Sequence, residues 1–124
     1  MPKTRAFFGW PKSLPYSFGP YRAVADYCRD GDTCVLLADL GLEQIIPVAI
    51  RLEGIKAPEL SEPGGPESRA YLETLLPRDA RCLVRTYSRF ARTHDRWSGS
   101  VLLADGRDVA SEMGSAGHAV WSAA

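Results

Sequence analysis

The sequence predicts a mainly β chain with two helices, and three observations carry that prediction. Runs of β-branched and aromatic residues alternate with Asp-Gly and Gly-Leu-Glu turn signals. Only two segments show an apolar face at helical spacing. The length of 124 residues suits one domain with a modest core.

Residues 1–20 read as an arm rather than part of the barrel. Phe7, Phe8, Trp10, Tyr16 and Phe18 stand among Pro2, Pro11, Pro15 and Pro20. Proline at this density opposes a regular helix or central strand. Large apolar groups do not stay in water, so the arm is expected to pack across its own domain or against a partner subunit. Lys3 and Arg5 precede no apolar leader run, and no stretch approaches membrane-spanning length, so a cytoplasmic protein without membrane contact is expected.

The domain proper is expected over residues 21–124. Tyr21 to Arg29 and Thr33 to Leu40 read as strands joined by Asp30-Gly31-Asp32, a hairpin signal. Gly41-Leu42-Glu43 makes the next turn, and Gln44 to Ile55 completes a meander, with Pro47 marking an edge or bulge. Ser61 to Pro66 reads as loop. Glu67 to Leu76 reads as a helix with Ala70, Tyr71, Leu72, Leu75 and Leu76 on one face, stopped by Pro77. Arg81 to Arg89 has both strand content (Val84, Thr86, Tyr87) and arginines at helical spacing. Strand is favoured, because Gly99 to Leu103 is a strand in need of a partner. Val109 to Gly117 is a second helix, weakened by Gly114. The order strand-strand-strand-helix-strand-strand-helix is that of a five-stranded Greek-key barrel of the oligonucleotide/oligosaccharide-binding type.

Charge is balanced overall, at a formal net of zero, but unevenly spread. From residue 78 to 96, Arg78, Arg81, Arg85, Arg89, Arg92 and Arg96 stand against Asp79 and Asp95, a net of +4. A basic ridge on an acidic remainder fits a polyanion such as DNA or RNA, and Arg85, Arg89, Arg92 and Arg96 are its candidate contacts. The plainer reading is a solvated face. Cys28, Cys34 and Cys82 have no metal-ligand spacing. They read as buried thiols in a reducing compartment, with a Cys28–Cys34 disulfide across the hairpin as the alternative. His94 and His118 read as surface or cap residues, and Trp97 and Tyr87 as core or base-stacking groups.

Two stretches carry chemistry. Asp30-Gly31-Asp32-Thr33 places two carboxylates at a turn. Arg51 ends a strand, and the following loop runs to Ala57-Pro58-Glu59, with Pro58 stiffening the backbone before Glu59. A fixed Glu beside a strand-end Arg suits orienting water against a phosphate that the Arg holds. The plainer reading is an Arg51–Glu59 surface ion pair, worth at most about 1 kcal/mol.

Asp30-Gly31-Asp32-Thr33, then Ile50-Arg51-Leu52-Glu53-Gly54-Ile55-Lys56-Ala57-Pro58-Glu59, resembles the staphylococcal-nuclease-like (thermonuclease) family. Asp95-Arg96-Trp97 followed by Val101-Leu102-Leu103-Ala104-Asp105-Gly106 continues the resemblance, which spans roughly residues 20 to 121. It implies a five-stranded barrel and Ca²⁺-dependent hydrolysis of DNA and RNA. It further implies that Asp32 is a metal ligand, that Asp30 assists near the metal, that Arg51 binds the scissile phosphate, and that Glu59 is general base or water-orienting group.

Two positions depart from the family pattern. Lys56 stands where the family has its second metal carboxylate. An ammonium about 4 Å from a divalent ion repels it by ~8 kcal/mol at an effective dielectric of about 20. Gly99 stands where the family has a second phosphate-binding Arg. The expectation is therefore a divergent phosphodiesterase with a weakened or altered metal site. The alternatives are a catalytically impaired nucleic-acid-binding module and an interaction protein docking through residues 1–20.

Overall fold

The computed structural model describes residues 17–87 and 96–122. Expectations about Phe7, Phe8, Trp10 and Tyr16, about the arm as a docking segment, and about Arg89, Arg92 and His94 lie outside the described residues. The described elements are β1 (Ser17–Asp30), β2 (Thr33–Asp39), β3 (Ile45–Leu52), β4 (Ile55–Lys56), α1 (Gly65–Leu75), β5 (Arg81–Tyr87), β6 (Trp97–Leu103), α2 (Val109–Ser115) and β7 (Val120–Trp121).

Five strands close into a ring in the order β1-β2-β3-β6-β5, so the expected mainly β chain with two helices holds. Every ring pair is antiparallel except β3–β6, where Ile50, Arg51 and Leu52 run parallel to Trp97, Ser98 and Gly99. Alternation along the strands builds the interior. Gly99, Val101 and Leu103 of β6 face inward, while Ser98, Ser100 and Leu102 do not. Leu36, Ile50, Leu52, Val84 and Val101 are fully enclosed, joined by Ile55 and by Leu72 and Met113 from the two helices. Burying each such side chain contributes roughly 1.5–3 kcal/mol.

Arg81 to Tyr87 forms the expected strand. Arg81 and Arg85 stand four apart, which also satisfies a period of two, so both escape the interior that Cys82 and Val84 fill.

Four expectations about elements are corrected. The first strand begins at Ser17, not Tyr21, and pairs Ser17 with Tyr87 and Phe18 with Thr86 on β5. Pro20 is tolerated because the register shifts between Phe18 and Tyr21, where no ladder hydrogen bond is needed from it. The third strand does not run through to Ile55. It breaks at the Glu53-Gly54 turn, where Gly54 takes φ 89°, and restarts as β4. β4 then pairs with β7, Ile55 opposite Trp121 and Lys56 opposite Val120, in a two-stranded sheet the sequence did not foretell. Helix α1 starts at Gly65; Ser68 and Leu72 are buried, Leu76 just beyond its end is too, and Tyr71 and Leu75 pack against the core as expected. Ala70, expected on the apolar face, is exposed.

Cys28 and Cys34 do stand opposite each other in the β1–β2 register, yet both are free thiols, as is Cys82. Burial pushes the Cys28 thiol up to about 12 and Cys82 up to about 11, and holds Cys34 well above its ordinary value. Gly114, read as a weak point of the second helix, has a packing reason instead. A Cβ there would lie 2.5 Å from the Trp121 ring.

Candidate phosphate-binding corner

The β1–β2 turn gathers the charged side chains. Asp30 Oδ1 accepts the Asp32 backbone N–H at 3.1 Å, closing the turn locally. Gly31 is required for close approach rather than for a left-handed φ. A Cβ on it would fall 1.9 Å from Ser68 Oγ and 2.8 Å from the Ala57 Cβ. The bare glycine lets the turn tuck beneath α1 and against residue 57.

That approach buries Asp32, which is 6% exposed. Its Oδ2 accepts the Ala57 N–H at 2.9 Å, and its Oδ1 accepts the Thr33 hydroxyl at 3.1 Å. The Asp32 carbonyl accepts the Leu52 N–H at 2.8 Å, tying the turn to the end of β3. These bonds supply the partners a buried carboxylate needs.

Arg51 lies opposite Thr33 in the β2–β3 register. Its Nη2 is 3.6 Å from Asp32 Oδ2, an ion pair rather than a good hydrogen bond. Its Nη1 donates to the backbone carbonyls of Leu52 and, at 2.7 Å, Ile55. Arg51 therefore bolts the Glu53-Gly54 turn that separates β3 from β4.

Arg96 reaches the corner from just before β6 and donates to Thr33 Oγ1 at 3.0 Å. A continuous path then runs from the Arg96 guanidinium through the Thr33 hydroxyl to the Asp32 carboxylate, and from there to Arg51. Asp30 is half-buried beside it. Burial chiefly, together with the adjacent Asp32 carboxylate, holds its carboxyl above the ordinary aspartate value, while the Asp32 N–H and the Arg96 charge pull the other way.

The structure thus brings Asp30, Asp32, Arg51 and Arg96 together. Glu59 is exposed on the loop after β4, where its N–H donates to Glu62 Oε1 at 2.7 Å. Among the described residues no ion pair joins Glu59 to Arg51, so the plainer surface-pair reading does not hold. Arg85 sits on the outer face of β5 and donates to Ser17 Oγ at 3.4 Å; among the described residues it forms no hydrogen bond or ion pair with the corner. Thr33, quoted in the motif but given no role from sequence, is the link between the two guanidinium groups.

Lys56 is exposed. With Pro58, Glu62, Glu67, His118 and Val120 it lines an open groove of about 470 Å³. That groove contains none of the four corner residues. His118 stacks on Tyr71 with ring centroids 4.6 Å apart, in keeping with a packing role.

Calcium takes six to eight oxygen ligands, typically including several carboxylates. Among the described residues no three His, Cys, Asp or Glu side chains gather in a metal-holding group. The corner offers two carboxylates, and both Asp32 oxygens are already engaged. These donors do not fit a Ca²⁺ site as they stand.

Gly99 also has a structural reason. A Cβ there would lie 2.6 Å from the Arg85 carbonyl oxygen and 3.2 Å from Ile50 Cγ2, inside the ring. No side chain at residue 99 reaches the corner from that backbone. In comparisons with known proteins, no family model and no curated protein matches the chain.

Proposed function

We propose that this chain is a divergent phosphodiesterase of the staphylococcal-nuclease type, acting on DNA or RNA. The observation that carries the reading is convergence. Asp30, Asp32, Arg51 and Arg96 meet at one end of the ring, although Arg96 and the Thr33 it bonds are 63 positions apart. The stretches behind the family resemblance are the ones that supply this corner.

The chemistry follows from the donors. Guanidinium N–H pairs match the geometry of phosphate oxygens, and fixed cations offset the charge that develops as a phosphodiester is attacked. Glu59, exposed on the neighbouring loop, is the carboxylate available to orient a water. In barrels of the oligonucleotide-binding type, ligands meet the loops after the first and fourth strands. Here those are the Gly31-Asp32 turn and the connection from β5 to β6, whose sequence carries Arg89, Arg92 and Arg96. Calcium, which the resemblance implies, would bind only after Asp32 gave up Thr33 or Ala57. Three free thiols accord with a cytoplasmic setting. Among the described residues no helix is long and apolar enough to cross a membrane.

A second reading, a nucleic-acid-binding module without cleavage, is favoured by one observation. Arg51 Nη1 and both Asp32 oxygens are spent on partners within the chain. One experiment separates the two. Denatured DNA and RNA are incubated with the protein in Ca²⁺, Mg²⁺, Mn²⁺ or chelator, and products are resolved on a gel. Cleavage that falls by 10²-fold or more in Glu59→Ala supports the phosphodiesterase. Retained oligonucleotide binding with no cleavage in any metal leaves the binding module.

A further inference from the structure

We infer that Arg96, rather than Arg51, is the principal phosphate-binding cation of the corner, and that the Thr33 hydroxyl parks it when no anion is present. The inference rests on the proposal that the corner meets a phosphodiester, and it divides labour between the two guanidinium groups in a way the motif does not.

Arg51 is committed. Both of its Nη1 hydrogens have backbone acceptors, the Leu52 and Ile55 carbonyls, which bracket the Glu53-Gly54 turn. Its Nη2 faces the buried Asp32. Turning Arg51 toward a ligand would orphan two carbonyls and weaken the pairing of a buried carboxylate, a cost of the kind that unsatisfied buried groups carry.

Arg96 has less to lose. Among the described residues its one hydrogen bond goes to a neutral hydroxyl, and its charge acts on the half-buried Asp30 without closing an ion pair. The bond to Thr33 leaves most of its five donors for another acceptor. When Arg96 leaves, Thr33 still donates to Asp32, so the turn keeps its buried partner. An arriving phosphate oxygen therefore exchanges a neutral hydrogen bond for a charge-assisted one at Arg96, and at Arg51 it would break a network. Gly99 cannot supply a second cation, because its side-chain direction is filled by the Arg85 carbonyl. Arg96, three residues earlier, lies just before β6 and reaches Thr33.

The test is anisotropy titration of a labelled oligothymidylate at several salt concentrations, with thermal melts confirming the fold of each variant. Arg96→Ala is expected to weaken binding about tenfold and to lower the salt slope by about 0.7. Arg96→Gln keeps a donor for Thr33 without the charge, and is expected to lose affinity equally while melting like the native chain. Thr33→Val removes the parking hydroxyl and is expected to keep or raise affinity. Native-like affinity in Arg96→Gln, together with lost affinity in a folded Arg51→Lys, would overturn the inference and leave the phosphodiester reading standing. Absence of oligonucleotide binding by the native chain would overturn that reading, and the inference with it.

Discussion

Asp30 shows how a charged side chain can be held against its own preference for solvent. Its carboxyl is raised chiefly by burial, with Asp32 close by. A group whose folded value lies above its unfolded value binds its proton more tightly when folded. Its contribution is therefore most favourable below the unfolded aspartate range, and is lost as pH rises through the folded value. Asp30→Asn keeps the Oδ1 acceptor for the Asp32 N–H and removes the charge. It is expected to raise the melting temperature at neutral pH, with the gain shrinking as the buffer is taken down toward the unfolded aspartate range. Equal melting curves for the two proteins at neutral pH would show that the charge is not under strain. The carboxylate–arginine corner was legible in the sequence because Asp-Gly-Asp-Thr and the strand-end Arg are local signals. The engagement of Arg96 was not, since nothing in its neighbourhood in the chain marks Thr33 as its partner.

At the scale of elements, the chain is governed by close approaches that glycine permits. The Asp-Gly pair was readable as a hairpin turn, and β1 and β2 do meet there. The physical demand on Gly31 is different: Ser68 of α1 and Ala57 fill the space a side chain would take. Gly31→Ala is expected to lower stability by about 1–3 kcal/mol in denaturant melts, through displacement of α1 from the turn. An unchanged midpoint would mean that the helix shifts at no cost. The break between β3 and β4 was hidden for a related reason. Leu52 and Ile55 are apolar on either side of Glu53-Gly54, and one glycine within a β-rich run does not by itself end a strand, so pattern alone carried it across. What interrupts it is the Arg51 bolt and the pairing of Ile55 with Trp121, contacts supplied by the tertiary structure. The helices were placed within two residues at their starts, because caps and proline are local. α2 is capped by Asp108, which accepts the Ser111 N–H at 2.9 Å.

For the whole molecule, the ring's closure sets what is accessible. Cys28, Cys34 and Cys82 lie in one core and are kept protonated by burial, with Cys34 also raised by its two neighbours. They are expected to resist Ellman's reagent near pH 8 in the native protein and to react only at the rate of unfolding, when the thiols return toward their ordinary values. Rapid modification of the folded protein would contradict this burial. The same closure accounts for the placement of charge: arginines of β5 take the outer face, and the corner residues gather where the β1–β2 turn meets the ends of β3 and β6.

Sequence by itself determined the presence of the five ring strands, both helices, the Asp-Gly turn and two acids beside a strand-end arginine. Each of these follows from propensities and periods that act within a few residues. Only the tertiary structure decided that Arg51 is spent on carbonyls, that Lys56 lines a separate groove, that residue 99 faces the interior, and that Arg96 meets Thr33. These depend on register between strands far apart in the chain. A shift of one residue in a strand sends every side chain to the opposite face, so local pattern could name the corner's residues without saying which of them remain available to a ligand.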